Sequence, residues 1–473
     1  MTRFLGAILL VMPFLLKAQV VTVSEPITLH DEIGYHVLGS IKGQVLLLRD
    51  LTTSFEVEAF DQSLRQSWTK SLELDKFNPE LLEAPGQENG FSVIYRYRKR
   101  GHHFLKIHHY DPAANLVDSA TVKDLGSYFN APSYELVLSE NKKMALVFSV
   151  ERLTQFHVMA IDIANMELLW ETAYSRVGFT TPEDFREILV DNRGNMYLVF
   201  ETENRKSQRE KHQIEMLSYG PNFGQMTQTN VPMEEKLTFD DQFVFDNANG
   251  HLVGAGLYSD ETVGRTAGYF YVSVNFAPKA EYVLAFHKFQ EESISAMAGK
   301  SGQEGKGLTE MAMRELVLRR DGGVLLIAER TKIYERQSGV MTRNAFDRYN
   351  RFIVDYYFED MVIATVHPDG NKHWEKVIHK KQYSQDDDAM YSSFFIMKSP
   401  QKLQLIFNDE IRNENTVSAY VISPEGNLAR TSVFNTESQD LKLRFRDSVQ
   451  VSGSEIIVPS ERRSRLKLVR VSF

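Results

Sequence analysis

Between Phe352 and Phe434, apolar and polar residues alternate with period two in segments separated by polar turns. The alternation runs through residues 352–366, breaks at His367-Pro368-Asp369-Gly370-Asn371, and resumes in a segment led by Trp374. A polar, acidic stretch at 382–389 reads as a loop. Two more alternating segments then flank a turn at 398–402, and a last pair flanks Ser423-Pro424-Glu425-Gly426-Asn427. Period two places alternate side chains on opposite faces of a strand, and Pro, Gly, Asn and Asp mark hairpin turns.

The same unit recurs along the chain. One series of turns lies at 41–43, 86–90, 139–142, 191–195, 246–250, 320–323, 399–401 and 452–454. A second series lies between them at 61–65, 111–115, 162–165, 220–224, 275–278, 367–371 and 423–427. Four strands closed by two turns make a unit of propeller-blade size. The eighth unit has three strands before the chain ends at Phe473, and the segment 20–29 supplies the fourth. The expectation is an all-β chain with one eight-bladed propeller over 20–473, its ends joined in one blade; seven blades are the runner-up. Two stretches lengthen the repeat, 289–311 and 331–351. In an up-and-down blade both fall on the face opposite the tight hairpins. The first opens with 290–297, which reads as a turn or two of helix.

Trp68, Trp170 and Trp374 each stand just after the outer turn of their unit, where an indole can wedge between blades and donate to a backbone carbonyl. Ala160-x-Asp162 with Trp170 resembles the Ala-x-Asp…Gly…Trp docking motif of quinoprotein-type eight-bladed propellers. Gly370 to Trp374 matches the end of that motif, and Ala59-x-Asp61 with Trp68 fits one residue short. The other five units lack it. The resemblance implies a fold; the cofactor and metal residues of those enzymes have no counterpart, so no cofactor is expected. The chain also resembles exported bacterial β-propeller proteins, which implies no activity.

The first residues change the compartment. A basic start at Arg3, an apolar run over 4–16 and Lys17-Ala18-Gln19 read as a signal peptide over 1–19, too short to span a bilayer. Its removal takes the formal charge from −9 to −11 and predicts a periplasmic or extracellular protein without a membrane span. Cysteine is absent, so a core rich in its 30 Phe and 20 Tyr must hold the fold without disulfides. Interspersed charge with an acidic balance argues against a nucleic-acid partner.

Candidate chemistry is sparse. The stretch 331–351 mixes cations with rings, and Tyr334, Arg343, Arg348, Tyr349 and Arg351 are its candidate partner contacts, since Arg and Tyr are enriched where proteins bind. Packing of these rings on their own blade is the plainer alternative. Asp386, Asp387 and Asp388 form a weak candidate for a hard cation, without the spacing of a calcium loop. His102, His103, His108 and His109 share one strand, and same-face members lie roughly 20 Å apart, too far for one metal. Nucleophile elbows, HExxH and dinucleotide fingerprints are missing. The leading expectation is a non-enzymatic binding or scaffold protein for a protein or glycan partner. The alternative is an enzyme acting on carbohydrate or peptide, which an axial pocket lined by two or three carboxylates would favour.

Overall fold

The computed structural model describes residues 19–473 except 30–31, 52–53, 76–78, 129–131, 177, 179–180, 262–263, 277–279, 299–306, 338–351, 410 and 412–415. Its strands form eight antiparallel four-stranded blades, in sequential order in blades one to seven. Blades one to seven occupy 32–72, 80–127, 135–175, 185–232, 237–288, 311–378 and 395–435. Blade eight joins 449–472 to Val20–Val23, which pairs with the last strand in the register Val20 with Ser472 and Val23 with Val469. Ile27–Thr28 extends that pairing, and the Ser24 amide donates to Leu468 at 2.9 Å.

First strands of neighbouring blades approach one another, which makes them the innermost strands around the axis. Each blade buries apolar side chains on both faces. Leu46, Leu48, Phe91 and Tyr95 fill the space between blades one and two; Val45, Leu47, Ile457 and Leu468 fill that between eight and one. A cluster of this kind lies at every blade junction, so the core is a ring of eight wedges. Trp170 donates its indole N–H to the Gly194 carbonyl of blade four at 2.9 Å, and Trp374 donates to Pro424 of blade seven at 3.0 Å. Trp68 packs into the cluster between blades one and two.

The inner turns are tied to each other. Asn192 accepts the Asn141 amide at 3.0 Å, and Asn247 accepts the Asn192 amide at 2.8 Å, linking the inner turns of blades three, four and five. On the opposite face, Glu291–Ala298 is helical, as the sequence predicts, and Leu308–Thr309 pairs with Arg265–Thr266.

Candidate functional site

The second and third strands of blade six, Val324–Gln337 and Phe352–Val366, run 14 and 15 residues. Only their first and last parts, 324–329 and 361–366, belong to the blade. Past an irregularity at Glu329, residues 331–337 pair with 352–358 and project beyond it. Gln382–Gln385 then pairs with Asp355–Phe358 as a third strand. The reading of 382–389 as a loop is thereby corrected, since 382–385 is strand; 331–337, within the stretch that lengthens the repeat, is strand as well. Both carry polar residues on both faces, and without an apolar period they give no strand signal.

Alternation sorts this arm into two faces. On one, Tyr334 and Tyr357 lie 6.0 Å apart, and Tyr357 and Tyr383 lie 4.9 Å apart, centroid to centroid. Asp355 joins the three strands there: Arg336 Nε donates to Oδ2 at 2.5 Å and Tyr383 donates to Oδ1 at 2.7 Å. On the other face Tyr356 and Phe358 are buried over Ala389. Towards the tip, Ile333, Tyr334 and Phe352 stand 60%, 51% and 49% exposed. Tyr334 is thus an exposed residue whose hydroxyl donates to Glu310 at 3.4 Å. Arg343, Arg348, Tyr349 and Arg351 lie outside the described residues.

The acidic triplet forms the turn that follows the third strand. Asp386 accepts the Val354 amide at 2.9 Å, Asp387 accepts the Ala389 amide at 3.1 Å, and Asp388 accepts the Tyr356 hydroxyl at 3.2 Å. Each carboxylate has its own partner, and Asp386, Asp388 and Ala389 adopt positive φ to make the bend. Among the described residues, no three His, Asp or Glu side chains converge as metal ligands.

The root of the arm is a buried polar knot. Lys380, wholly buried, pairs with Glu329 and donates to Gln382 Oε1 at 2.5 Å. Glu329 also accepts from Arg314 Nε at 3.0 Å and from the Ser393 hydroxyl at 3.1 Å. Gln382 donates to the carbonyls of Asn408 at 2.6 Å and Ser393 at 3.2 Å, which fixes the arm to blade seven. Burial lowers the Lys380 pKa; Glu329 opposes this, while Arg314 and Arg446 add to it.

A cavity of about 810 Å³ lies along the inner strands of blades one, two and eight, with Tyr35, His36, Glu83, Arg444, Asp447 and Glu461 in its wall. Arg444 donates to Asp447 at 2.5 Å and pairs with Glu461, so two of the three carboxylates are neutralised. In blade two the histidine strand builds a hydrogen-bond chain. Lys106 and Tyr95 both donate to Asp75, at 2.8 and 2.9 Å. Having spent its proton there, Tyr95 must accept from His108 Nε2 at 2.9 Å; in the neutral ring Nδ1 then accepts from Tyr110 at 2.9 Å. Burial, helped by Lys106, pushes the His108 pKa down to about 4, in keeping with that tautomer.

Blade four shows a second buried cluster that sequence reading missed. Glu201 accepts from Arg186 Nε and His212 Nε2, both at 2.8 Å, and from Thr238. Burial raises the Glu201 pKa, but the His212, Arg186 and Thr238 contacts outweigh it and leave the group lowered. Asp241 lies 3.3 Å from Arg186, and burial, with Glu201 beside it, pushes its pKa up to about 7. Burial pushes Glu187 up to about 7 as well, against the Phe243 amide it accepts at 2.8 Å. A signal existed: Arg186–Glu201 and Arg314–Glu329 are both pairs 15 residues apart that straddle an inner turn.

No protein-family model matches the chain, and no curated protein matches it. Among solved structures it is similar to the Dos1 propeller, at 7% identity over 96% of this chain and 95% of that one, TM-score 0.44. It is also similar to the β-propeller domain of the Trilobed protease from Pyrococcus furiosus, at 9% identity over 88% and 98%, TM-score 0.38. A third is the periplasmic gluconolactonase PpgL of Pseudomonas aeruginosa, at 11% over 85% and 96%, TM-score 0.37. At such identities a likeness extends to the fold alone, and the propeller rests on the chain's own eight sheets. The resemblance to tryptophan-docking quinoprotein propellers gains no support beyond that fold.

Proposed function

We propose that the protein is an exported, non-enzymatic binding or scaffold propeller that offers its blade-six arm, on the face opposite the tight hairpins, to a protein or glycan partner. The observation that carries this reading is the exposure of Ile333, Tyr334 and Phe352 on an arm stiffened by three paired strands and fixed at a buried root. Exposed apolar groups on a rigid support lose little conformational freedom on binding. The test is capture from an envelope fraction with the mature chain as bait, beside Ile333→Ser, Tyr334→Ala and Phe352→Ser combined. Surface changes of this kind leave the melting temperature within a few degrees. Loss of a captured partner at unchanged stability supports the reading; equal capture by the variant, or capture of nothing, overturns it.

One observation favours a second reading, an enzyme acting on carbohydrate or peptide. The axial cavity holds three carboxylates, and Glu83, the one not paired with Arg444, accepts only its neighbour Ala84 amide at 2.9 Å among the described hydrogen bonds. Turnover in a glycan and peptide screen that Glu83→Gln abolishes establishes this reading in place of the first.

A further inference from the structure

Three cations crowd one ring at the foot of the arm. The guanidinium carbons of Arg314 and Arg446 lie 5.0 and 5.1 Å from the Phe358 centroid, and Lys380 Nζ lies 5.7 Å from it. One buried carboxylate, Glu329, pairs with two of them, Arg314 and Lys380. Arg446 forms no ion pair among the described residues; Asp447 beside it is paired with Arg444. Burial, and after it Arg314, lowers the Arg446 pKa. An excess of like charge at close range disfavours the fold and needs an opposing charge.

Blade four shows that the framework does not require this excess. Arg186 and Glu201 occupy the same place as Arg314 and Glu329, with a strand irregularity beside each arginine and the same 15-residue spacing. There the next blade supplies a carboxylate, Asp241, at 3.3 Å from the arginine. At blade six the next blade supplies only the hydroxyl, Ser393 donating to Glu329 as Thr238 does to Glu201; Asp240 of blade five faces Arg314 without an ion pair among the described residues, and Arg446 adds a further cation. The extra cations open onto space. A cavity of about 430 Å³, large enough for a small molecule, is walled by Arg314, Arg446 and Lys398 with Phe394, Phe395 and Ile396. Lys398 lies 3.5 Å from Glu315, at the same wall.

We infer that this cavity, between the inner strands of blades six and seven and the approach to blade eight, binds a small oxyanion, with Arg446 and Arg314 as its principal contacts and Lys398 at its edge. Guanidinium groups grip carboxylate, sulfate and phosphate through paired donors, and the flanking Phe and Ile side chains suit an apolar body behind the anionic group. The site does not depend on the arm's partner and is present whether or not that reading holds.

Melting of the full mature chain in sodium sulfate, sodium phosphate and sodium malonate, each against sodium chloride at equal ionic strength, tests the assignment. A saturable rise in melting temperature is expected with at least one of the three; saturation at lower malonate than sulfate or phosphate marks a carboxylate ligand, and the reverse marks an inorganic or phosphoryl one. Arg446→Gln removes the saturable rise, and Lys398→Gln moves its midpoint roughly 3- to 10-fold higher, the range of one charge-assisted contact. A rise that never saturates, as general salt exclusion gives, overturns the inference. So does an unchanged response in Arg446→Gln. Should Arg446→Gln melt early in chloride, Lys398→Gln decides: an unchanged midpoint there rejects the site.

Discussion

Glu187 sits where a carboxylate is costly to ionise. Its only described hydrogen bond is the Phe243 amide, and burial sets its pKa near 7. In the unfolded chain an ordinary glutamate titrates near 4.3. The folded value is the higher one, so the folded state holds its proton longer. Stability from this group is full below about pH 4, falls as pH rises through about 7, and is lost above that. Glu187→Gln keeps an acceptor for the amide and removes the charge. It is expected to stabilise by on the order of 1–2 kcal/mol at pH 8 and by almost nothing at pH 4, read as the difference between variant and parent in denaturant midpoints at the two pH values. A pH-independent effect rejects the buried-charge account. Glu201 runs the other way: its lowered pKa gives stability above the ordinary glutamate range that disappears in acid, so Glu201→Gln costs most near neutrality.

At the scale of the element, the outer strand of each blade is where neighbours meet. Trp374 lies flat against Gly426, whose φ of 82° and lack of a side chain let the indole approach; a β-carbon there would stand 2.7 Å from the ring. Trp374→Phe loses one indole hydrogen bond and is expected to cost about 1 kcal/mol. Gly426→Ala adds both a clash and a backbone conformation that alanine resists, and costs more. Chemical denaturation ranks the two, and the reverse order places the stabilisation in the hydrogen bond rather than the close approach. These contacts were legible because turn residues and tryptophan carry their meaning locally: Asp191 to Asn195 makes a turn whatever lies around it. The arm was illegible in part for the same reason. Thr331 to Gln337 owes its strand state to a partner at 352–358, and Gln382 to Gln385 owes it to 355–358. The knot of Arg314, Glu329, Lys380 and Gln382 draws on residues far apart in the chain, with no local pattern to announce it.

For the whole molecule, the ring stands or falls with its junction. Val21 and Val23 pack into the wedge between blades seven and eight, and Ile27 and Leu29 into that between eight and one. Deleting 20–29 therefore strips two wedges and bares the edge of 465–472. At about 1.5–3 kcal/mol for each fully buried aliphatic side chain, and less for these half-buried ones, the loss is several kcal/mol. The expected result is a single transition shifted down by many degrees, with a tendency to associate through the freed edge; a parent-like melt rejects closure by this strand. The counting of turns anticipated eight blades, because a repeat that each unit completes alike survives the loss of any one signal. What the count did not carry was charge, which differs between equivalent places in blades four and six.

The same junction sets an order of events in time. The strand at 20–23 and its partner at 469–472 are separated in sequence by the ring of blades between them. Such a distant pair forms late in folding, because chain entropy is given up before the contact returns anything. The circle is thus locked by its longest-range contact, and until that forms it is an arc with a free edge rather than a smaller ring. Closure is in this way the step that hides the last unpaired edge.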